Sequence, residues 1–201
     1  MDITHYEYAP TRSARSRWTL LELDVPYESV SGRELIRSDE LRRVHPLGKL
    51  PAAEIDGRPL FESGALCTFF ADAHPDKGLI GKPGTWERAL HDQWVCFTFT
   101  ELEAWLWHSA KHTFVYPEEE RIPEVIAMNG REFRTAAVVI EDALGASDHL
   151  VAGRFSVTDI IASYTLNWGR RAGLTDGFDR INGYLDRLYE RPHCTLGRPE
   201  S

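Results

Sequence analysis

Leu47-Gly48-Lys49-Leu50-Pro51-Ala52-Ala53-Glu54-Ile55-Asp56-Gly57-Arg58-Pro59-Leu60-Phe61-Glu62-Ser63-Gly64-Ala65-Leu66 is the stretch whose reading decides the fold. Residues 52–55 read as a short strand, Asp56-Gly57 as a hairpin turn, Leu60-Phe61 as the returning strand, and Ser63 as the opening of a helix. Pro51 cannot donate to a ladder, so its place ahead of the first strand fits either an edge position or a cis bond. Glu62-Ser63 stands where a helix begins, and the free N–H groups of a first turn beside a hydroxyl make a site for a small carboxylate.

The Gly-Lys-Leu-Pro step and the Glu-Ser pair, in this order with a hairpin between them, resemble the glutathione S-transferase family. The thioredoxin-like half of that family carries a Gly-Lys-Val/Leu-Pro loop and a Glu-Ser pair at this separation. The resemblance implies that Leu50, ahead of a cis Pro51, offers its backbone to the cysteinyl part of glutathione. It also implies that Glu62 and Ser63 hold the γ-glutamyl end and that Lys49 meets the glycine carboxylate. Taken singly, Pro51 reads as the start of an edge strand and Ser63 as an ordinary N-cap.

At 201 residues the chain is one large domain or two small ones, and 42% hydrophobic with 11% aromatic content suffices for a core without staples. Acidic residues outnumber basic ones 31 to 23, for a net charge of −8, and no Lys/Arg cluster compensates, which argues against nucleic acid as a partner. Cys67, Cys96 and Cys194 are far apart and odd in number, so neither a disulfide framework nor a zinc site is indicated, and a reducing cytoplasm fits best. No charged leader with an apolar core stands at Met1, and no apolar run is long enough to cross a bilayer.

Residues 3–8 have the composition of a first strand. After the break at Ala9-Pro10-Thr11-Arg12-Ser13, residues 14–23 read as a helix with Trp18, Leu21 and a neighbouring leucine inward, arginines outward, and Thr11 or Ser13 as cap. Residues 27–30 form a second strand and complete a right-handed βαβ unit. Residues 38–45 are weakly helical and stop ahead of Pro46; residues 63–73 form a helix that buries Leu66, Phe69 and Phe70. The order βαβ, short helix, ββα is the thioredoxin-like one that the resemblance also implies. Pro and Gly crowd residues 74–84, so 1–78 read as a thioredoxin-like, glutathione-binding α/β domain and 85–201 as an all-α helical bundle domain supplying the electrophile pocket. Its long helices are expected over 85–109, 122–144, 156–172 and 178–190. Ser156 with Asp159 three residues on makes a reciprocal cap, assigned to folding and not to chemistry.

A thiol is a poor nucleophile and its thiolate a good one, so the implied chemistry needs a hydroxyl donor and the N-terminal end of a helix. Thr11 and Ser13 are the equal first candidates, with Tyr8 behind them; the segment departs from the family's Ser or Cys pattern. Each has a structural counterpart: Tyr8 as core cover, Thr11 or Ser13 as a plain cap. Arg12 and Arg15 could meet glutathione carboxylates or acidic residues at a subunit contact, but arginines on a helix face read by default as solvated, and His45 reads as a second partner for the glycine carboxylate. Trp105, His108 and His112 belong to an aromatic and imidazole cluster that either lines a pocket for an apolar electrophile or packs a core. His108 and His112 lie four apart, but no third ligand has a suggestive spacing, so no metal is expected. Cys67 reads as a buried, inert thiol, and the absence of Cys-x-x-Cys disfavours disulfide exchange.

The resulting expectation is a cytoplasmic glutathione transferase that uses glutathione as co-substrate against a small apolar electrophile. The family implies a two-fold homodimer. Two alternatives stand beside it: a binding or assembly module that keeps the fold without turnover, and a specialised glutathione-dependent isomerase or dehalogenase. The Ser-Ser-Cys-Ser motif of the maleylacetoacetate isomerases is absent from residues 9–13, which counts against that branch.

Overall fold

A computed structural model describes residues 1–145 and 147–198. They form two compact units, the first made of Met1–Arg88 with Arg191–Gly197, the second of Ala89–Glu190 with Arg198.

The first unit runs β1 (Ile3–Glu7), α1 (Ser13–Leu23), β2 (Glu28–Ser31), α2 (Asp39–Val44), β3 (Ala52–Ile55), β4 (Arg58–Phe61) and α3 (Ser63–Ala73). The sheet order is β2-β1-β3-β4, with β1 parallel to β2 and the other two pairings antiparallel. Alternation along β1 sends His5 toward α1, where its Nε2 lies 2.8 Å from Ser16 Oγ. It sends Tyr6 to the other face, into a cluster with Leu35, Leu41, Val44, Leu50 and Ala52. α1 packs on α3 and buries Trp18, Leu20 and Leu23. A buried side chain of that size contributes about 1.5–3 kcal/mol against about 1 kcal/mol for a cap. Burial therefore sets α1, whose N-cap, Arg12, makes no side-chain capping bond.

Several expectations change here. Neither Thr11 nor Ser13 caps α1. Leu20 and Leu23, not Leu21, are the buried leucines of α1, and Arg15 is only 1% exposed. Phe69 is 41% exposed, because the buried positions Leu66, Cys67, Phe70 and Ala71 define a face from which position 69 points away. The weakly helical stretch is α2, begun by Ser38, whose Oγ accepts from Leu41 N at 3.1 Å. Arg191–Gly197 comes back to α1: Arg191 donates through Nε and Nη2 to the two oxygens of Glu22 at 2.9 and 2.8 Å, and Thr195 Oγ1 donates to Ala14 O at 2.7 Å. Polar straps of this kind have no hydrophobic period for sequence reading to detect.

The second unit contains α4 (Trp86–Phe97), α5 (Ala104–Ala110), α6 (Glu124–Ala143), α7 (Val157–Arg171) and α8 (Asp179–Tyr189). The helix expected over 85–109 runs on through π-helical turns at Thr98–Glu103 and Lys111–Val115. α7 is buried on nearly every side, and Gly169 lets α6 come close: a Cβ there would stand 2.3 Å from Phe133 Cζ. Asp159, fully buried, accepts from Ser156 N (2.8 Å), Ser156 Oγ (3.0 Å), Leu150 N (3.1 Å) and the Tyr184 hydroxyl (2.9 Å). Among the described residues, no helix is long and apolar enough to cross a membrane.

Candidate functional site

Strand register gathers three pieces of the first unit at one end of the sheet. Tyr6 pairs with Ala52, and Ala52 pairs with Phe61. Tyr8 just beyond β1, Leu50-Pro51 just before β3 and Glu62-Ser63 just after β4 are therefore neighbours at that end. Of the two readings open for the proline, the structure has the cis Leu50–Pro51 bond; Ala9–Pro10 is cis as well. Leu50 is buried in the cluster on the α2 face, and the half-buried Tyr8 packs against the same cluster.

α3 opens in an unusual way. Glu62 precedes it at φ 74°, ψ 117° and provides no side-chain cap. A non-glycine residue in such a conformation costs about 1–3 kcal/mol and persists only where its surroundings over-determine it, commonly at ligand sites. Ser63 follows, buried, and its Oγ accepts from Arg15 Nη1 at 3.1 Å. A guanidinium is taken out of water only with donors satisfied, and this hydroxyl satisfies one of them. The solvated reading of Arg15 is thus corrected: a buried cation stands behind the first residue of a helix, and both features favour an anion in front of it. Sequence reasoning weighed Arg15 as a partner for glutathione carboxylates but preferred the solvated face, although residues 15 and 19 share a helical face with the buried Trp18.

His45 lies beside this end of the sheet, its ring 4.6 Å from that of Phe61. Burial pushes its imidazole below the ordinary value, with the charge of Glu62 pulling it up and that of Lys49 pushing it further down. Its Nδ1 accepts from Leu47 N at 3.2 Å, which assigns the proton of the neutral ring to Nε2. Lys49 is exposed.

The hydroxyl candidates divide by geometry. Thr11 Oγ1 donates to Tyr8 O at 2.6 Å and lies 2.9 Å from Ser13 Oγ. Ser13 Oγ accepts from Tyr8 N at 3.0 Å and stands 3.2 Å from Tyr8 O. Both hydroxyls therefore close the loop onto its own backbone, an ST-type use of the side chain. The Tyr8 hydroxyl has no hydrogen-bond partner among the described residues.

Trp105, His108 and His112 belong to the second unit, where both histidines have polar partners. His108 Nδ1 lies 3.2 Å from Oδ1 of the buried Asn129 of α6, and Asn129 Nδ2 donates to Ser109 Oγ at 3.1 Å. His112, buried, accepts from Ile122 N through Nδ1 at 3.1 Å, and the two imidazoles meet edge to face at 4.9 Å. Trp105 is half-buried. No group of three or more His, Cys, Asp and Glu among the described residues is placed to hold a metal ion. Burial pushes the Cys67 thiol up to about 12, which removes it as a nucleophile.

Residues 6–78 match the family model described as "Glutathione S-transferase, N-terminal domain". The chain is 26% identical over 186 residues to the glutathione S-transferase GstA of Escherichia coli O157:H7, a match covering 90% of this chain and 85% of that one. It is 24% identical over 158 residues to the probable elongation factor 1-gamma 2 of Arabidopsis thaliana, covering 76% of this chain and 36% of that longer protein. Among solved structures it superimposes on the glutathione transferase URE2P8 of Phanerochaete chrysosporium with oxidized glutathione, at a TM-score of 0.84 and 20% identity, over 96% of this chain and 91% of that one.

Proposed function

We propose, on the premise that this chain belongs to the glutathione S-transferase family, that it binds reduced glutathione where Leu50, Pro51, Glu62 and Ser63 converge and transfers its sulfur to a small apolar electrophile. The observation that carries this reading is the buried Arg15–Ser63 hydrogen bond at the start of α3, set one residue past the strained Glu62 and across from cis Pro51. The γ-glutamyl carboxylate lies against the Ser63 hydroxyl and the first N–H groups of α3, with the Arg15 charge behind. The cysteinyl main chain pairs with Leu50, and Lys49 and His45 face the glycine end. A solved structure with oxidized glutathione shares the fold, which supports the same ligand class here.

A thiol with an ordinary cysteine-like pKa near 8.5 is a thiolate only in part at neutral pH, and a hydroxyl donor increases that fraction. Tyr8 takes this role ahead of Thr11 and Ser13, because their protons are already used on the loop backbone. The thiolate sulfur forms a bond to the electrophilic carbon while the leaving group departs with its bonding pair. The test is calorimetric titration with glutathione followed by turnover of an aromatic halide by wild type, Tyr8→Phe and Thr11→Val. Tyr8→Phe is expected to lower kcat by about a hundredfold, the usual cost of one donor to a developing anion. Equal losses in the two variants would remove the tyrosine from the mechanism.

One observation favours the assembly module as a second reading. With two of three candidate hydroxyls committed to the backbone, and elongation factor 1-gamma proteins among the relatives, binding without turnover is its signature. Titration that shows glutathione binding with no halide released by wild type selects that reading. The homodimer that the family implies is part of either proposal, and sedimentation of the full chain reads it directly.

A further inference from the structure

The loop between β1 and α1 holds two hydroxyls, those of Thr11 and Ser13, that the transfer chemistry leaves unused, and the placement of their protons shows what they do. The N–H of Tyr8 can only donate and its C=O only accept, which fixes the direction of every bond between them. Tyr8 N donates to Ser13 Oγ at 3.0 Å. Thr11 Oγ1 gives its one proton to Tyr8 O at 2.6 Å. In the 2.9 Å pair of Ser13 Oγ and Thr11 Oγ1, Ser13 is therefore the donor; its longer path, 3.2 Å, ends on the same Tyr8 O. The bonds close into a circuit that leaves Tyr8 by its N–H, passes through both hydroxyls and returns to its C=O. We propose, on the reading of Tyr8 as the donor to the glutathione sulfur, that Ser13 and Thr11 are positioning residues whose circuit clamps both peptide groups of Tyr8 and so holds its phenol in place.

Neither hydroxyl caps α1, whose N-cap is Arg12, so the circuit is not the by-product of a helix start. Thr11 N adds a further bond to Tyr8 O at 2.9 Å, and bonds linked in such a chain polarise and strengthen one another. Ser13 is itself fixed from behind. It is 2% exposed, its carbonyl accepts from Ser16 Oγ at 3.2 Å, and Ser16 Oγ lies 2.8 Å from Nε2 of the fully buried His5. The phenol hydroxyl is the one polar group of Tyr8 that the circuit leaves without a partner among the described residues. Tyr8 packs on the cluster that contains Leu50, the residue assigned above to the cysteinyl main chain. A donor fixed in advance stabilises a developing thiolate without reorganising as the charge forms, and a displacement of about 1 Å can cost about a hundredfold in rate.

The experiment reads the thiol directly, with no electrophile present. The ultraviolet absorbance of the thiolate of reduced glutathione bound to the full chain is followed against pH in wild type, Tyr8→Phe, Ser13→Ala and the double variant. Tyr8→Phe is expected to raise the midpoint by about one to two pH units, the loss of one hydrogen bond to a charged acceptor. Ser13→Ala is expected to raise it by about half a unit to one unit, and the double variant no further than Tyr8→Phe alone, since a clamp has no effect once its phenol is gone. A residue that only stabilised the fold would lower the melting temperature and leave the midpoint where it was. Should Ser13→Ala fail to fold, Thr11→Val opens the same circuit and is expected to give the same pattern. An unmoved midpoint in the clamp variant, or a shift that adds in full to that of Tyr8→Phe, overturns the positioning role and leaves the tyrosine in place. No bound glutathione, or an unmoved midpoint in Tyr8→Phe, overturns the reading of the site itself, and the clamp falls with it.

Discussion

Ser63→Ala puts the reasoning about the start of α3 under the most direct strain. The change removes the hydroxyl oxygen that accepts from Arg15 Nη1 at 3.1 Å, inside a site where Ser63 is 4% and Arg15 1% exposed. Leaving a buried charged donor short of one partner costs about 1–3 kcal/mol of stability, or about 2–4 °C in Tm for each kcal/mol in a chain of this size. Glutathione loses a hydroxyl hydrogen bond to its carboxylate, worth about 1.5–3 kcal/mol, so Kd rises about tenfold to a hundredfold. Calorimetry on wild type, Ser63→Ala, Arg15→Met and the double variant separates the two effects. If the arginine acts on the ligand through the hydroxyl, the double variant falls clearly short of the sum of the single losses. Glutathione affinity within twofold of wild type in a normally melting Ser63→Ala protein refutes the whole account of this site.

Asp159→Ala is expected to cost about 3–5 kcal/mol, because it orphans the buried donors of Ser156, Leu150 and Tyr184 together, and chemical denaturation reads it; a loss under about 1 kcal/mol would contradict the role given to Asp159. Glu7 and Glu22 are both held below their ordinary carboxylate value of 4.5: burial opposes this, and hydrogen bonds from His5 and Ser29, and from Arg191 and Trp18, outweigh it. The stability they contribute is complete above 4.5 and disappears as pH falls through the lower folded values, so urea midpoints between about pH 5 and about pH 3 are expected to drop less steeply in Glu7→Gln/Glu22→Gln than in wild type. Alkylation at about pH 8 is expected to label the exposed Cys96 rapidly and Cys67 only after denaturation, read by mass spectrometry of the peptides; early labelling of Cys67 would contradict its burial.

The legible part of this chain was local and redundant. Turn chemistry at Asp56-Gly57, a proline barred from the ladder and a hydroxyl at a helix start each bias the same short segment, so the hairpin, with Pro51 and Ser63 at its one end, could be read from adjacent residues. The Ser156-Asp159 cap was legible for the same reason. Arg15 was not, because whether an arginine is solvated or buried depends on an acceptor 48 residues away that its own helix does not reveal. Choosing among Tyr8, Thr11 and Ser13 required knowing which hydroxyls the loop had already consumed, a matter of distances within six residues that composition does not encode. His108 and His112 read as lining a pocket or packing a core, and their partners Asn129 and Ile122 N lie ten or more residues further on, beyond what helical spacing reveals.

The ties from Arg191 to Glu22 and from Thr195 to Ala14 have a consequence for biosynthesis. They span 169 and 181 residues, so while the nascent chain is still on the ribosome α1 has already emerged and its last partners have not been made. Residues 89–190 of the second unit are translated within that interval. Closure of the first unit therefore waits on residues 191–195, which are made after residues 89–190, so its sheet emerges well before its strap can reach α1.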